Sequence, residues 1–210
     1  IKRFDTEFPL SPELAFTSSS QSPIDQDEVR KRLVALQDDD GGLKTYQHIR
    51  YNMRTKKAEW EHGLGRWKVW HEPEHGHEYL ITVDSCHGTE EGDFACIQVG
   101  DRTDRKQCAE FYFRSAPDDV AKEAFAAGMY YNEALLAPEV DGPGLATLQN
   151  LLDLSEGAGY PNLYVRSVSG NWSQRFGFRM GTKARRDACV AAISKAIRNK
   201  SWDLYSTTLL

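Results

Sequence analysis

The chain has 210 residues and a mass of 23.8 kDa, enough for one or two ordinary domains with a buried core. Hydrophobic residues make up 40% and charged residues 27%, which excludes a disordered tail and a fibre. The net charge of −5 hides an asymmetry: residues 160–200 hold nine Lys and Arg against the single acid Asp187, so one basic segment sits on an acidic body. That pattern suits a protein that meets a polyanion along one face and gathers carboxylates elsewhere.

In chain order, Phe8-Pro9-Leu10-Ser11-Pro12 and the polar run from Thr17 to Ser22 are expected as extended chain, because Pro forbids a helix interior. A helix is predicted over Asp25–Gln37, with an acidic first turn and Val29, Leu33 and Val34 on one stripe. It stops at Asp38-Asp39-Asp40-Gly41-Gly42. Residues 1–60 are read as a connecting arm with one helix, and 61–210 as the main domain.

The strand pattern begins at Tyr79. Tyr79–Asp84 is apolar up to its last residues, Phe94–Val99 follows a Gly/Glu-rich turn, and Lys106–Arg114 follows Asp101–Asp104, so three strands meander antiparallel. Pro117-Asp118-Asp119 opens a helix to about Met129. Ala134–Glu139 is a fourth strand, Gly144–Leu152 a helix, Asn162–Arg166 a fifth strand, and Thr182–Asn199 a last helix with Ala188, Ala191, Ala192 and Ala196 as its apolar face. Cys86, Cys96, Cys108 and Cys189 form no Cys-x-x-Cys pair and are expected as reduced core thiols. No apolar run approaches the roughly 20 residues of a membrane span, and no leader opens the chain, so an intracellular protein is expected. The chain starts at Ile1 rather than Met, as an excised segment would.

A strand–helix–strand crossover makes its strands parallel, so the fourth strand can return beside the first. Asp84 and Glu139 then end adjacent parallel strands at their carboxyl edge, where open sheets place their sites. Two carboxylates about 4 Å apart repel by a few kcal/mol and call for a shared proton or a cation. Mg²⁺ or Mn²⁺ suits such hard oxygen ligands, and a pair of ions could act on a phosphodiester. Asp93, at the start of the next strand, is an auxiliary candidate. The segment His71-Glu72-Pro73-Glu74-His75 fits a His-Glu-x-x-His zinc pattern, but Pro73 and Gly76 forbid the helix that chemistry requires. With His77 it is read as a solvated linker that could at most make an adventitious surface metal site.

These motifs together resemble a known family. Tyr79–Gly88 and Gly92-Asp93-Phe94-Ala95-Cys96-Ile97 are similar to the first catalytic motif of the nuclease domain of viral large terminase subunits. Tyr131–Ala134 and Pro138–Gly144 resemble its second acidic motif, Tyr160–Tyr164 its fifth-strand signature, and Gly177–Lys183 its approach to the last helix. The resemblance implies an α/β, RNase H-like fold with a mixed sheet of five or more strands: an antiparallel three-strand meander, two parallel strands and flanking helices. It implies an endonuclease that cuts concatemeric double-stranded DNA during genome packaging in the host cytoplasm with two divalent ions. Its partners would be the portal, the small terminase subunit and the motor ATPase domain of the same protein.

Family roles carry over to Asp84 and Glu139 as metal ligands, and Arg175, Arg179, Lys183, Arg185 and Arg186 are expected to hold backbone phosphates. The family's third acid is expected beyond Leu210, while Asp187 precedes the matching position. No Gly-x-x-x-x-Gly-Lys-Ser/Thr motif is present, so ATP hydrolysis is not assigned to this segment. A junction-resolvase-type nuclease of the same fold, or a non-catalytic module that docks on DNA or the portal, are the alternative readings.

Overall fold

In a computed structural model, which describes residues 23–63, 65–154, 159–166 and 176–208, helix α1 spans Gln26–Asp38. Its cap is Asp25, whose carboxylate accepts from the Asp27 and Glu28 N–H groups at 3.2 Å, satisfying donors a helix start leaves open. Three strands follow where none was predicted: β1 (Lys44–Asn52), β2 (Lys57–His62) and β3 (Trp67–Val69). The predicted meander is β4 (Tyr79–Asp84), β5 (Ala95–Asp101) and β6 (Lys106–Phe113). Then come α2 (Pro117–Tyr130), β7 (Leu135–Pro138), α3 (Gly144–Asp153) and α4 (Lys183–Arg198).

These strands form one seven-stranded sheet in the order β2-β1-β3-β6-β5-β4-β7, antiparallel throughout except for the parallel β4–β7 pair. Sequence reading missed β1 because its buried residues, Tyr46 and Ile49, are three apart. A register shift between Tyr46 and His48 breaks the two-residue alternation that announces a strand. The expected fifth strand is reduced to isolated bridges, Leu136 with Leu163 and Val165 with Phe176.

One face of the sheet carries the core. Ile81, Val83, Ile97, Val99, Ala109, Phe111 and Trp67 are almost fully buried there, with Val120, Ala121, Ala124 and Ala127 of α2 in the same cluster. Each of the valines, isoleucines and the phenylalanine contributes about 1.5–3 kcal/mol of burial, and each alanine less. Gly128 lets α2 approach Tyr160, whose hydroxyl donates to the Ala134 carbonyl at 2.6 Å. A Cβ at Gly128 would stand 2.3 Å from that hydroxyl oxygen. Gly128→Ala, which in an open helix gains about 1 kcal/mol, is therefore expected to lose about 1–3 kcal/mol through overpacking, read as a lower urea midpoint.

The opposite face is crossed by the chain after α4. The Gln107 side-chain carbonyl accepts from the Tyr205 and Ser206 N–H groups at 2.7 and 2.8 Å, and Ser206 donates its hydroxyl to the Glu110 carboxylate at 2.5 Å. From Asp203, which bridges Lys106, to Thr208, which meets Lys68, this segment runs parallel to β6. Helix α4 packs on α1 but differs from expectation: Ala188, Ala191 and Ala192 are exposed, and Ser194 is the buried residue. The alanine face of α4 carries little apolar area, whereas the buried alanines of α2 are accompanied by the buried Val120 and Phe125. Cys86 and Cys108 are buried, Cys96 is half-buried, and Cys189 is exposed rather than in the core.

Candidate metal centre

The register of β4 and β7 determines where the acids go. Val83 pairs with Pro138, and the Glu139 N–H donates to the Val83 carbonyl at 2.8 Å, so Asp84 and Glu139 are the next residues on their strands. Ile81 and Val83 face the core, and side chains alternate along a strand, so Asp84 points to the opposite face. Leu136 and Pro138 pair with Ile81 and Val83, so the same alternation turns Glu139 to the face that Asp84 occupies.

Glu139 is held from both sides. Beyond Val83, it bridges Phe178: the Phe178 N–H donates to Pro138 O and the Val140 N–H to Phe178 O, both at 2.9 Å. Gly177 makes that approach feasible, with a φ of +74° and a position where a Cβ would lie 2.5 Å from the Pro138 carbonyl oxygen.

The Glu139 carboxyl senses the charge of Asp84. Burial and then the charge of Asp84 raise the Glu139 pKa above 4.5, with Asp141 adding to the effect; a Met180 N–H and the charge of Arg186 act against it. Asp84 is exposed at the strand end, yet partial desolvation and then the charge of Asp93 raise its carboxyl above 3.8, against a hydrogen bond from the Ser85 backbone. Asp93 therefore belongs to the same field, from an exposed position in the turn before β5.

Raised carboxyl pKa values mean that folding favours the protonated forms. Their contribution to stability is present below the ordinary values and is lost as pH rises through the elevated ones. Asp84→Asn is thus expected to melt higher than the unchanged chain at pH 7 without divalent metal, with the gain gone near pH 3. Thermal melts at the two pH values check the sign.

Asp141 was not singled out from sequence as a site residue. Its Oδ2 accepts from the Met180 N–H at 3.0 Å and its Oδ1 stands 3.7 Å from Arg179 Nε, so it ties the chain before α4 to the end of β7. The Glu139-x-Asp141 spacing, which puts two acids on one side of an extended chain, was the available signal.

The basic residues gather at the start of α4. Thr182 caps the helix by accepting from the Arg185 N–H at 3.4 Å, and Arg179, Lys183, Arg185 and Arg186 are all exposed around this end. The charge of Arg186 reaches Glu139. Lys183 pairs with Asp187 at 2.6 Å, which occupies the one acid of the helix. Arg175 lies outside the described residues, as do Trp172 and the Phe8–Pro12 and Thr17–Ser22 stretches.

A second acidic cluster lies at the other end of the sheet. Ligand atoms of Glu74, His77, Asp101 and Asp104 come within 4.8 Å of one another. Tyr79 faces Asp101 whereas Asp84 faces Cys96, so about 16 Å of strand separates this cluster from Asp84. Its cation is already present: Lys106 Nζ stands 2.9 Å from both Glu74 and Asp104. Burial works against the charge of Lys106, but Asp104 and Glu74 outweigh it and raise its pKa. His77 bonds Asp101 at 2.8 Å, and the ring of His71 is half-buried against Tyr205, so the three histidines do not assemble as a surface site. The His71–His75 segment is a loop joining β3 and β4, without a helix.

The antiparallel meander, the parallel strand beside its first member and the helices around them are an RNase H-like fold. Among solved structures, the chain has the fold of phage large terminase nucleases. It matches the large terminase nuclease from thermophilic phage G20c with bound magnesium at a TM-score of 0.53 and 13% identity, covering 78% of this chain and 72% of that one. The zinc-bound form of that nuclease matches at 0.52 and 14%, covering 78% and 79%. The large terminase nuclease domain of Thermus phage P74-26 matches at 0.50 and 12%, covering 78% and 70%. Neither the protein-family models nor the curated proteins contain a match to the sequence. Among the described residues, no helix is long and apolar enough to cross a membrane.

Proposed function

We propose that the chain is a divalent-metal-dependent endonuclease that cuts concatemeric double-stranded DNA during phage genome packaging. The observation that carries this reading is the position of Asp84 and Glu139 directly after the last paired residues of adjacent parallel strands, on one face of the sheet edge. Their donor chemistry fits Mg²⁺ or Mn²⁺: hard carboxylate oxygens in a field of neighbouring acids, Asp84 acting on Glu139 and Asp93 on Asp84, which together with desolvation disfavours the bare anions. When bound there, such ions would supply charge neutralisation and an activated water for phosphodiester hydrolysis.

The chain's own residues do the rest. Asp84 and Glu139 hold the metal, Asp93 adds negative field beside them, and the backbone bonds on both sides of Glu139 keep its carboxylate in place. Arg179, Lys183, Arg185 and Arg186 present cations at the start of α4, a helix end whose dipole also favours anions. They orient the DNA backbone without reading bases. We assign the same role to Arg175. In this reading the domain works in the host cytoplasm beside a motor ATPase domain, the portal and the small terminase subunit.

The test is nicking of supercoiled plasmid with Mn²⁺, with Mg²⁺ and with chelator. Metal-dependent nicking is expected; conversion that persists in chelator, or none with either ion, overturns the proposal.

A further inference from the structure

Beside the acidic edge the sheet carries aromatic rings that the core does not use. Phe94 and Tyr112 are 37% and 40% exposed. Their rings lie nearly parallel, with centroids 4.5 Å apart and planes 11° from each other. The Arg114 guanidinium stands 4.1 Å over the Phe94 ring, and its Nε donates to the Gly92 carbonyl at 2.7 Å, which anchors the plane. In this layered stack Phe94 lies between Arg114 and Tyr112, and the Tyr112 ring stands at the solvent end. A cross-strand ring pair alone would shield apolar area; a fixed guanidinium with further N–H donors adds a means of meeting an anion.

The location sets the ligand. Tyr112 faces Cys96 across the ladder and Cys96 faces Asp84, so all three share one face, and Phe94 follows Asp93 directly. Two strand spacings place Tyr112 about 10 Å from Asp84. In a stacked B-form strand, with a rise of 3.4 Å per nucleotide, that distance is about three nucleotides, and it is fewer in a strand drawn out of the stack.

We propose that Phe94, Tyr112 and Arg114 form a stacking ledge, with Tyr112 as its open ring, for an unpaired nucleobase of the strand held at Asp84 and Glu139, within about three nucleotides of the bond to be cut. The inference rests on the nuclease reading and deepens it. Every base has a π face, so the ledge tolerates any sequence. It selects instead for strand state. A base inside an intact duplex has both faces covered by its neighbours, whereas one in a frayed, nicked or single-stranded segment has a face to offer. Arg114, over Phe94, meets the adjacent phosphate.

Fluorescence anisotropy tests this with a labelled single-stranded oligonucleotide and the blunt duplex of the same sequence, both in chelator so that no cleavage intervenes. The double variant Phe94→Ala, Tyr112→Ala is expected to bind the single strand about tenfold more weakly and the duplex within about twofold of the unchanged chain. Tyr112→Phe keeps the ring and should keep the affinity. Removing bases from the oligonucleotide should weaken the unchanged chain's binding by a similar factor and the double variant's much less, the signature of a shared contact. Circular dichroism melts establish that the variants are folded. Equal losses on the two DNAs, or an undiminished affinity for the single strand, overturn the ledge. Cleavage indifferent to Asp84 would instead overturn the nuclease reading and leave this binding result standing, so the two failures are distinguishable.

Discussion

Asp84→Asn and Glu139→Gln are each expected to lower metal-dependent plasmid nicking at least a hundredfold, the scale seen when one charge-stabilising group is removed from a hydrolytic site. Both substitutions keep the shape of the side chain, so the backbone bonds that seat Glu139 between Val83 and Phe178 should survive. What they remove is negative charge where a divalent ion would need it. The two losses should not add in the double variant, since either single change already disables the pair. A second readout separates chemistry from folding. Mg²⁺ should raise the melting temperature of the unchanged chain by mass action and leave that of the Asn variant nearly unmoved. Nicking by Asp84→Asn within a few-fold of the unchanged chain would remove Asp84 from the site. Asp93→Asn should cost less, because Asp93 acts on Asp84 through its field from an exposed turn.

Glu123→Ala is expected to destabilise the domain by about 3–5 kcal/mol, a drop of about 10 °C in melting temperature for a chain of this size. Glu123 is a 2%-exposed carboxylate on α2 that binds three groups of the N-terminal strands. It accepts from the Ile49 N–H at 3.0 Å and the Trp67 indole N–H at 2.9 Å, and it holds His48 Nδ1 in a short contact. Truncation strands these donors in the core, where unmet hydrogen-bonding groups are costly. Glu123→Gln keeps one acceptor oxygen and should lose less. Urea unfolding followed by circular dichroism measures both, and an unchanged midpoint for the Ala variant would show that the network is incidental. Because α2 also leads into β7, loosening it is expected to degrade the alignment of Glu139 before the fold is lost.

What the chain determined locally was legible. Asp25 and the acids behind it announced α1, the apolar strands ending in Asp84 and the charged turns between them announced the meander, and Pro117 opened α2. The adjacency of Asp84 and Glu139 was also readable, since crossover handedness leaves few places for β7 to return. The tertiary structure decided the rest. Strand β1 escaped notice because its bulge spaced Tyr46 and Ile49 like residues on a helix, and only pairing with β2 and β3 defines it as a strand. Asp141 gained its place through Met180, Lys106 filled the Glu74–Asp104 cluster, and Phe94 met Tyr112 through the register of β5 and β6. Turn and cap chemistry acts over a few residues and is written in the local order of side chains. Register across a sheet is a property of strands distant in sequence, and it appears only when the whole sheet is assembled.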